Sequence, residues 1–164
     1  MSEKVSFRQM ENRFHFAVGE SIQGDMNLES RTLLLVFQVN CPGCFTYALP
    51  LAEAIHRDSN RLGLSVKALS TAFEDFDLNT IDHTRALVER GMLVGETKRA
   101  LGTEAYAGTI SFPVAVDSGM EKGVGETFAA NHLMGTPSWL VLEPDGSLLA
   151  SYFGQFPLQR WESE

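Results

Sequence analysis

The residues of this sequence most suited to chemistry are Cys41 and Cys44, the only two cysteines of the chain. A Cys-x-x-Cys spacing in a helix places both sulfurs on one face, so the pair can close a small disulfide and reopen it when another thiol attacks. Cys41 is predicted to lie at a helix N-terminus, where free backbone N–H groups and the helix dipole favour an anion. Because the thiolate is the reactive form of cysteine, we expect this position to lower the pKa of Cys41 and make it a nucleophile.

The elements on either side of the cysteines predict how they are positioned. The apolar run 33–39 is typical of a strand buried on both faces of a parallel sheet. Pro42 suits the first turn of the helix that follows, and Pro50 inside that helix is expected to kink it. A second apolar strand near 64–69 completes a right-handed βαβ unit.

An acidic loop, Phe73 to Asp77, follows the second strand at the sheet edge where open α/β sheets usually keep their sites. A helical excursion over about 80–101 then separates two sheet strands. The other predicted elements are an edge strand near 14–18 followed by a turn at 19–24, a strand at 112–116, a helix near 123–133, a hairpin of strands 138–142 and 147–153 turned by Asp-Gly, and a short C-terminal segment.

Size and charge limit the classes of function. The 164 residues, 44% hydrophobic and 21% charged, predict one globular domain over 1–164. A net charge of -8 argues against nucleic acid or an anionic membrane as partner. The first sixteen residues lack the apolar run of a signal peptide, so we expect a cytoplasmic protein. In such a reducing compartment a CxxC pair is catalytic or metal-binding rather than structural.

Four stretches carry a family resemblance: VNCPGC (39–44), Pro50 in the following helix, FPVAVD (112–117) and GTPSWLVLEPDGSLL (135–149). In this order they resemble the thioredoxin superfamily, and more closely its redoxin or TlpA-like branch. A CxxC alone is a modest signal. Joined to a downstream Gly-Thr-Pro that opens a strand and an Asp-Gly hairpin, it is specific.

The resemblance implies a three-layer α/β/α fold with a central mixed sheet, and a thiol-disulfide oxidoreductase that reduces protein disulfides. Cys41 would attack the substrate disulfide and Cys44 would resolve the mixed disulfide. Pro137 would be cis and lie against the cysteines, leaving the Thr136 backbone free to pair with an extended substrate peptide. The residues expected to tune the pair are Asn40, Pro42 and Gly43.

The sequence also departs from the family pattern. Asn40 stands where thioredoxins commonly have Trp, and Leu35 replaces the buried acid expected six residues before the first cysteine. Proton transfer with Cys44 would therefore come from Glu74, Asp75 or water. The Pro-Gly dipeptide between the cysteines means that a thioredoxin-like reduction potential cannot be assumed.

Three other functions compete with this interpretation. A peroxiredoxin-type peroxidase needs Thr or Ser three residues before its cysteine and Pro seven before it, whereas Gln38 and Leu34 occupy these positions relative to Cys41. A zinc site would need further ligands, and His132 is the only histidine expected near the sulfurs. A binding module without turnover could use exposed aromatic residues around the site; the candidates are Phe45, Phe73, Phe76 and Trp139, of which Phe45 and Trp139 also suit the core.

We therefore expect an enzyme that needs no bound cofactor and no metal. Its partners would be disulfide-containing proteins or small thiols as substrates, and a reductase or thiol as electron donor, with no role for nucleic acid or membrane.

Overall fold

The computed structural model describes residues 12–162, which form one mixed sheet of six strands with helices on both faces. The first eleven residues, on which the prediction of location largely depends, lie outside the described part. The strands are β1 (Val18–Gln23), β2 (Thr32–Phe37), β3 (Ser65–Ser70), β4 (Val114–Asp117), β5 (Ser138–Leu142) and β6 (Leu148–Phe153). The helices are α1 (Leu49–Arg57), α2 (Ser59–Leu62), α3 (Ile81–Arg90), α4 (Gly95–Leu101), α5 (Glu126–Ala130) and α6 (Leu158–Glu162).

β2 is the central strand, and all six of its residues are buried. The sheet order is β1-β4-β3-β2-β5-β6, with β2 parallel to β3 and antiparallel to β5. A continuous apolar run fits such a strand because both of its faces lie against other layers. The prediction of a buried strand leading to the cysteines is confirmed.

Helices cover the two faces of the sheet unequally. On one face α1 contributes Leu49 and Ile55 to a large apolar core, and α3, α4 and α6 pack around it. On the other face α5 contributes Phe128, which packs with Phe14 and Met26 from the segments before β2. The predicted arrangement of a mixed sheet between helical layers is confirmed.

The helix that carries the cysteines is not regular. Its backbone is helical from Pro42, adopts a π-helical form over Cys44–Ala48 and then continues as α1. The Leu49 N–H donates to the Cys44 carbonyl, the bond expected of a π-turn. Pro50 lies in the first turn of α1, so its missing N–H falls where the hydrogen-bonding pattern changes.

The predicted helical insertion between β3 and β4 is present as α3 and α4. The Thr80 hydroxyl accepts the His83 N–H at 3.1 Å and caps α3, and Gly91 ends that helix with a φ of +69°. Both devices are typical helix ends. Thr80 thus marks the beginning of this ten-residue helix and Gly91 its end, and the chain then turns into α4.

Gly95, the first residue of α4, permits a close approach between the insertion and the segment before the cysteines. Its φ is +51°, and a Cβ built there would lie 2.5 Å from Asn40 Oδ1 and 2.7 Å from Leu78 Cδ1. Any side chain would push α4 away from Asn40.

The predicted turn at 19–24 is wrong. These residues belong largely to β1, an edge strand that pairs antiparallel with β4 in an irregular register. Its side chains are mostly exposed, so the stretch shows little apolar alternation. A Cβ on Gly19 would lie 3.0 Å from the Asp117 carbonyl oxygen, so glycine here serves close strand packing rather than a turn.

A buried carboxylate connects α1 to the segment before β4. Glu53 is 6% exposed, and it accepts hydrogen bonds from Ser111 N at 2.9 Å, Ser111 Oγ at 2.6 Å and Arg57 Nε at 3.0 Å. Burial raises the pKa of Glu53, but the bonds from Ser111 and Arg57 and the Arg57 charge outweigh burial and hold that pKa below its ordinary value of 4.5.

No helix within residues 12–162 combines the length and the apolar character that crossing a bilayer requires.

We predict that Gly95→Ala destabilises the protein more than Gly102→Ala. Gly102 ends α4 at a φ of +69° with no atom within 4 Å of a built Cβ, so both changes carry the backbone cost of about 1–2 kcal/mol but only Gly95→Ala meets Asn40. Urea unfolding of both variants measures the difference. Equal free energies of unfolding would show that α4 does not press on Asn40.

We also predict that Glu53→Gln lowers the free energy of unfolding at neutral pH, and that its difference from the wild type becomes smaller as the pH falls. Because the folded pKa lies below the unfolded one, ionised Glu53 stabilises the fold above about pH 4.5, and this contribution is lost as the pH falls through the folded pKa. The free energy of unfolding of wild type and variant is compared from pH 7 to pH 3, with the exposed Glu89→Gln as control. A deficit that stays constant with pH would contradict the prediction.

Candidate active site

Cys41 and Cys44 are joined by a disulfide, with their Cα atoms 5.3 Å apart. Cys41 is partly exposed, whereas Cys44 is fully buried against the core around β2 and α1. The Cys44 N–H lies 3.3 Å from the Cys41 sulfur, at the start of the helix. An incoming molecule can therefore reach the first sulfur and not the second.

The loop before β5 lies against the exposed sulfur. The Thr136–Pro137 peptide bond is cis, as the resemblance implied, and the Thr136 carbonyl oxygen is 3.7 Å from Cys41 Sγ. Ser138 Oγ donates to the Gly135 carbonyl at 2.6 Å, and Gly154 N donates to the Pro137 carbonyl at 2.8 Å. The structure thus brings Thr136, and with it the cis peptide bond to Pro137, next to the exposed sulfur of Cys41.

Asn40, the residue before the first cysteine, is 6% exposed and makes three hydrogen bonds. Its backbone N–H donates to Asn79 Oδ1 at 2.8 Å, and its side-chain Nδ2 donates to Asp75 Oδ2 at 2.8 Å. Its Oδ1 accepts the Glu96 N–H at 2.7 Å. Asn40 therefore ties the peptide before Cys41 to the acidic loop and to the beginning of α4.

Gln38 and Asn79 form a buried amide pair that the sequence analysis missed as a site feature. Gln38 Oε1 accepts from Asn79 Nδ2 at 3.1 Å and from Phe73 N at 2.9 Å, and Gln38 Nε2 reaches Thr136 Oγ1 at 3.5 Å. Gln38 itself could have indicated such a contact, because a buried amide at the end of an apolar strand must form hydrogen bonds.

Thr97 in α4 is a third site residue that the sequence did not indicate. It is fully buried, and its hydroxyl accepts the Cys41 N–H at 2.8 Å and donates to the Val39 carbonyl at 2.8 Å. The contact joins residues 56 positions apart. No local pattern in the sequence could have indicated it.

The two candidate proton-transfer residues have different surroundings. Asp75 is exposed, has a φ of +47° and uses its carboxylate to accept from Asn40. Glu74 is exposed, and its backbone carbonyl accepts from Asn79 Nδ2 at 2.8 Å. Within residues 12–162 neither carboxylate is hydrogen-bonded to a sulfur, so their role in proton transfer stays a prediction.

Pro42 and Gly43 lie at the surface between the two cysteines, Pro42 partly exposed and Gly43 exposed. A Cβ built on Gly43 would meet no atom within 4 Å, so this position is open to solvent. Their backbone belongs to the first helical turn, and the N–H of the residue that follows them, Cys44, faces the Cys41 sulfur.

The aromatic residues near the site divide into two groups. Phe45 and Trp139 are buried in the core, as their positions suggested. Phe76 is 46% exposed, and Phe73 stacks on Phe128 with ring centroids 4.6 Å apart. Met134, two residues before Thr136, is 79% exposed. Apolar surface is therefore available beside the cis-proline loop.

Within the described part of the chain, no three His, Cys, Asp or Glu side chains are grouped so that they could hold a metal ion. His132 is exposed and adopts a φ of +53° in the segment that leads to the cis-proline loop.

This arrangement suits disulfide exchange. A helix start supports negative charge on the accessible sulfur, and a second sulfur within disulfide distance can displace whatever the first has bound. The buried side chains that bind residues 38–41 are an amide and a hydroxyl, from Asn79 and Thr97. Within residues 12–162, the Cys41 sulfur is hydrogen-bonded only to backbone groups, and no charged side chain is hydrogen-bonded to either sulfur.

Comparison with known proteins gives the fold. The sequence matches no protein-family model and no curated protein. Solved structures do match, among them a thioredoxin-like superfamily protein designated SPOA0173 (TM-score 0.69, 22% identity, 92% of this chain and 94% of that one). A thiol-disulfide isomerase from Corynebacterium glutamicum (0.68, 25%, 93% and 96%) and StoA from Bacillus subtilis (0.57, 13%, 93% and 97%) are also similar. The resemblance noted in the sequence is confirmed: the chain has the thioredoxin-like fold and carries a CxxC pair, Cys41 and Cys44, at the start of the helix that follows β2.

Proposed function

We propose that this protein is a thiol-disulfide oxidoreductase that reduces protein disulfides through Cys41 and Cys44. The observation that carries the proposal is the asymmetry of the pair: one sulfur is accessible at a helix start beside a cis-proline loop, and the other is buried within bonding distance. The similarity to a thiol-disulfide isomerase over nearly the whole chain supports the same chemistry.

The exchange proceeds in two steps from the reduced dithiol. The Cys41 thiolate attacks one sulfur of a substrate disulfide, forming a mixed disulfide and releasing the other substrate sulfur as a thiolate. Cys44 then loses its proton and attacks Cys41 Sγ. The Cys41–Cys44 disulfide forms, the second substrate thiol leaves, and two electrons have passed to the substrate.

The neighbouring residues would assist these steps. Pro137 offers no N–H beside the sulfurs, and an extended substrate peptide could pair with the Thr136 backbone as an added strand. Asn40, Pro42 and Gly43 would tune the pair through the peptide that carries Cys41. Glu74 and Asp75 remain candidates, with water, for taking the proton from Cys44.

The partners would be disulfide-containing proteins or small thiol compounds, and a reductase or a thiol would return the enzyme to its dithiol state. Nucleic acid and membrane have no part in this proposal. A cytoplasmic location, the TlpA-like branch and the single-domain extent of 1–164 stay predictions.

A redox titration tests the proposal. We expect both thiols of the wild type to disappear together as the ratio of oxidised to reduced glutathione rises, because each is the other's partner. We expect the wild type to reduce insulin and Cys41→Ser to fall to the background rate. Free thiols are counted after quenching with an alkylating agent. A pair that forms no intramolecular disulfide in any buffer would contradict the proposal and favour a binding module.

The roles of the two cysteines can be separated with oxidised glutathione. Cys44→Ser keeps the accessible Cys41 but cannot resolve, so we expect it to accumulate one glutathione per chain. Cys41→Ser leaves only the buried thiol, so we expect it to react far more slowly. Mass spectrometry measures both reactions. Equal rates of modification in the two variants would contradict the assignment of Cys41 as the attacking residue.

A further inference from the structure

A single hydroxyl holds the backbone on both sides of the residue that precedes Cys41. Thr97 Oγ1 accepts the Cys41 N–H and donates its own proton to the Val39 carbonyl, each at 2.8 Å. Both backbone groups lie beyond the end of β2 at Phe37, where sheet pairing has stopped. A hydroxyl has one proton to donate and lone pairs to accept with, so Thr97 satisfies both groups at once.

We propose that Thr97 is a positioning residue that keeps Cys41 reactive. The inference rests on the proposed function in taking Cys41 as the attacking thiol. The Cys41 sulfur faces the Cys44 N–H at 3.3 Å, and stabilisation by a helix start falls off within the first turn. Holding the Cys41 backbone N–H therefore holds the sulfur where that stabilisation is strongest.

Among the side chains around Cys41, Thr97 is the one that contacts its backbone N–H. Within residues 12–162, Thr97 provides the only side chain that accepts from the Cys41 backbone N–H. The charged side chains on the neighbouring segments bind other atoms: Asp75 accepts from the Asn40 side chain, and Glu96 is ion-paired with Arg99. Glu74 in the loop after β3 is exposed.

Thr97→Val removes the hydroxyl at nearly constant volume. The Cys41 N–H and the Val39 carbonyl are then left without their partner, and the peptide must shift to reach another acceptor and donor. We expect the Cys41 sulfur to move away from the first-turn N–H groups, so that its pKa rises toward the ordinary value of about 8.5 for a free cysteine.

The chain offers a closely matched control in Thr127. This residue is also fully buried, and its hydroxyl accepts the Ala17 N–H at 2.9 Å and donates to the Ala17 carbonyl at 3.1 Å. It lies in α5, on the other face of the sheet from α4. Thr127→Val therefore breaks the same kind of bridge without touching the cysteines.

The experiment measures the rate of iodoacetamide alkylation against pH in a Cys44→Ser background, where Cys41 is the only thiol. We expect Thr97→Val to raise the Cys41 pKa by about one unit and Thr97→Ser, which keeps the hydroxyl, to leave it unchanged. Thr127→Val should lower the melting temperature without moving the pKa. Thr97→Ala removes the same hydroxyl and replaces Thr97→Val if the latter does not fold.

Equal Cys41 pKa values in Thr97→Val (or Thr97→Ala) and Thr127→Val would overturn the inference, and so would a rise in Thr97→Ser as large as that in Thr97→Val. This failure is distinct from failure of the proposed function, which would appear as the absence of disulfide turnover in the unmodified protein. The alkylation profile requires no substrate and no electron donor, so the two results are independent.

Discussion

The structure depends on one constraint: the backbone that leads from β2 to Cys41 is buried, yet it has left the sheet. Polar groups in this position must be paired, because a buried unsatisfied N–H or carbonyl costs about 1–3 kcal/mol. The loop after β3 and the start of α4 provide the partners through Asn79, Asp75, Glu96 and Thr97. The hydrogen bonds that this short peptide requires therefore fix the positions of the loop after β3 and the start of α4, both distant from it in sequence.

The same constraint determines the electrostatics around the sulfurs. Leu35 is buried where the family resemblance led us to look for an acid, and the buried side chains that hold residues 38–41 are neutral amides and a hydroxyl. The carboxylate in this network, that of Asp75, lies at its exposed end and binds the Asn40 amide. A neutral network can orient the peptide without opposing a thiolate at Cys41, whereas a buried carboxylate close to the sulfur would raise the pKa of the thiol.

The sequence predicts those parts of the fold whose signals are local. The apolar run of β2, the Thr80 and Gly91 ends of α3 and the Asp-Gly hairpin each identify an element without knowledge of its neighbours. The prediction failed at β1, because an exposed edge strand buries little apolar surface and so shows no alternation. The cysteines could be found from their spacing, but Thr97 and Asn79 could not, since their contacts with residues 38–41 join positions 39 to 58 apart.

The insertion is consequently part of the candidate site rather than an addition to the fold. Gly95 allows α4 to approach Asn40, and the next two residues of the helix bind Asn40 and Cys41 directly. The hydrogen bonds that attach α4 to residues 39–41 also hold the backbone at Cys41, so we expect the stability of α4 and the position of the Cys41 sulfur to change together. Substitutions in α4 should therefore alter the chemistry of the disulfide while leaving the CxxC sequence unchanged, whereas substitutions in α5, on the opposite face of the sheet, should alter stability alone.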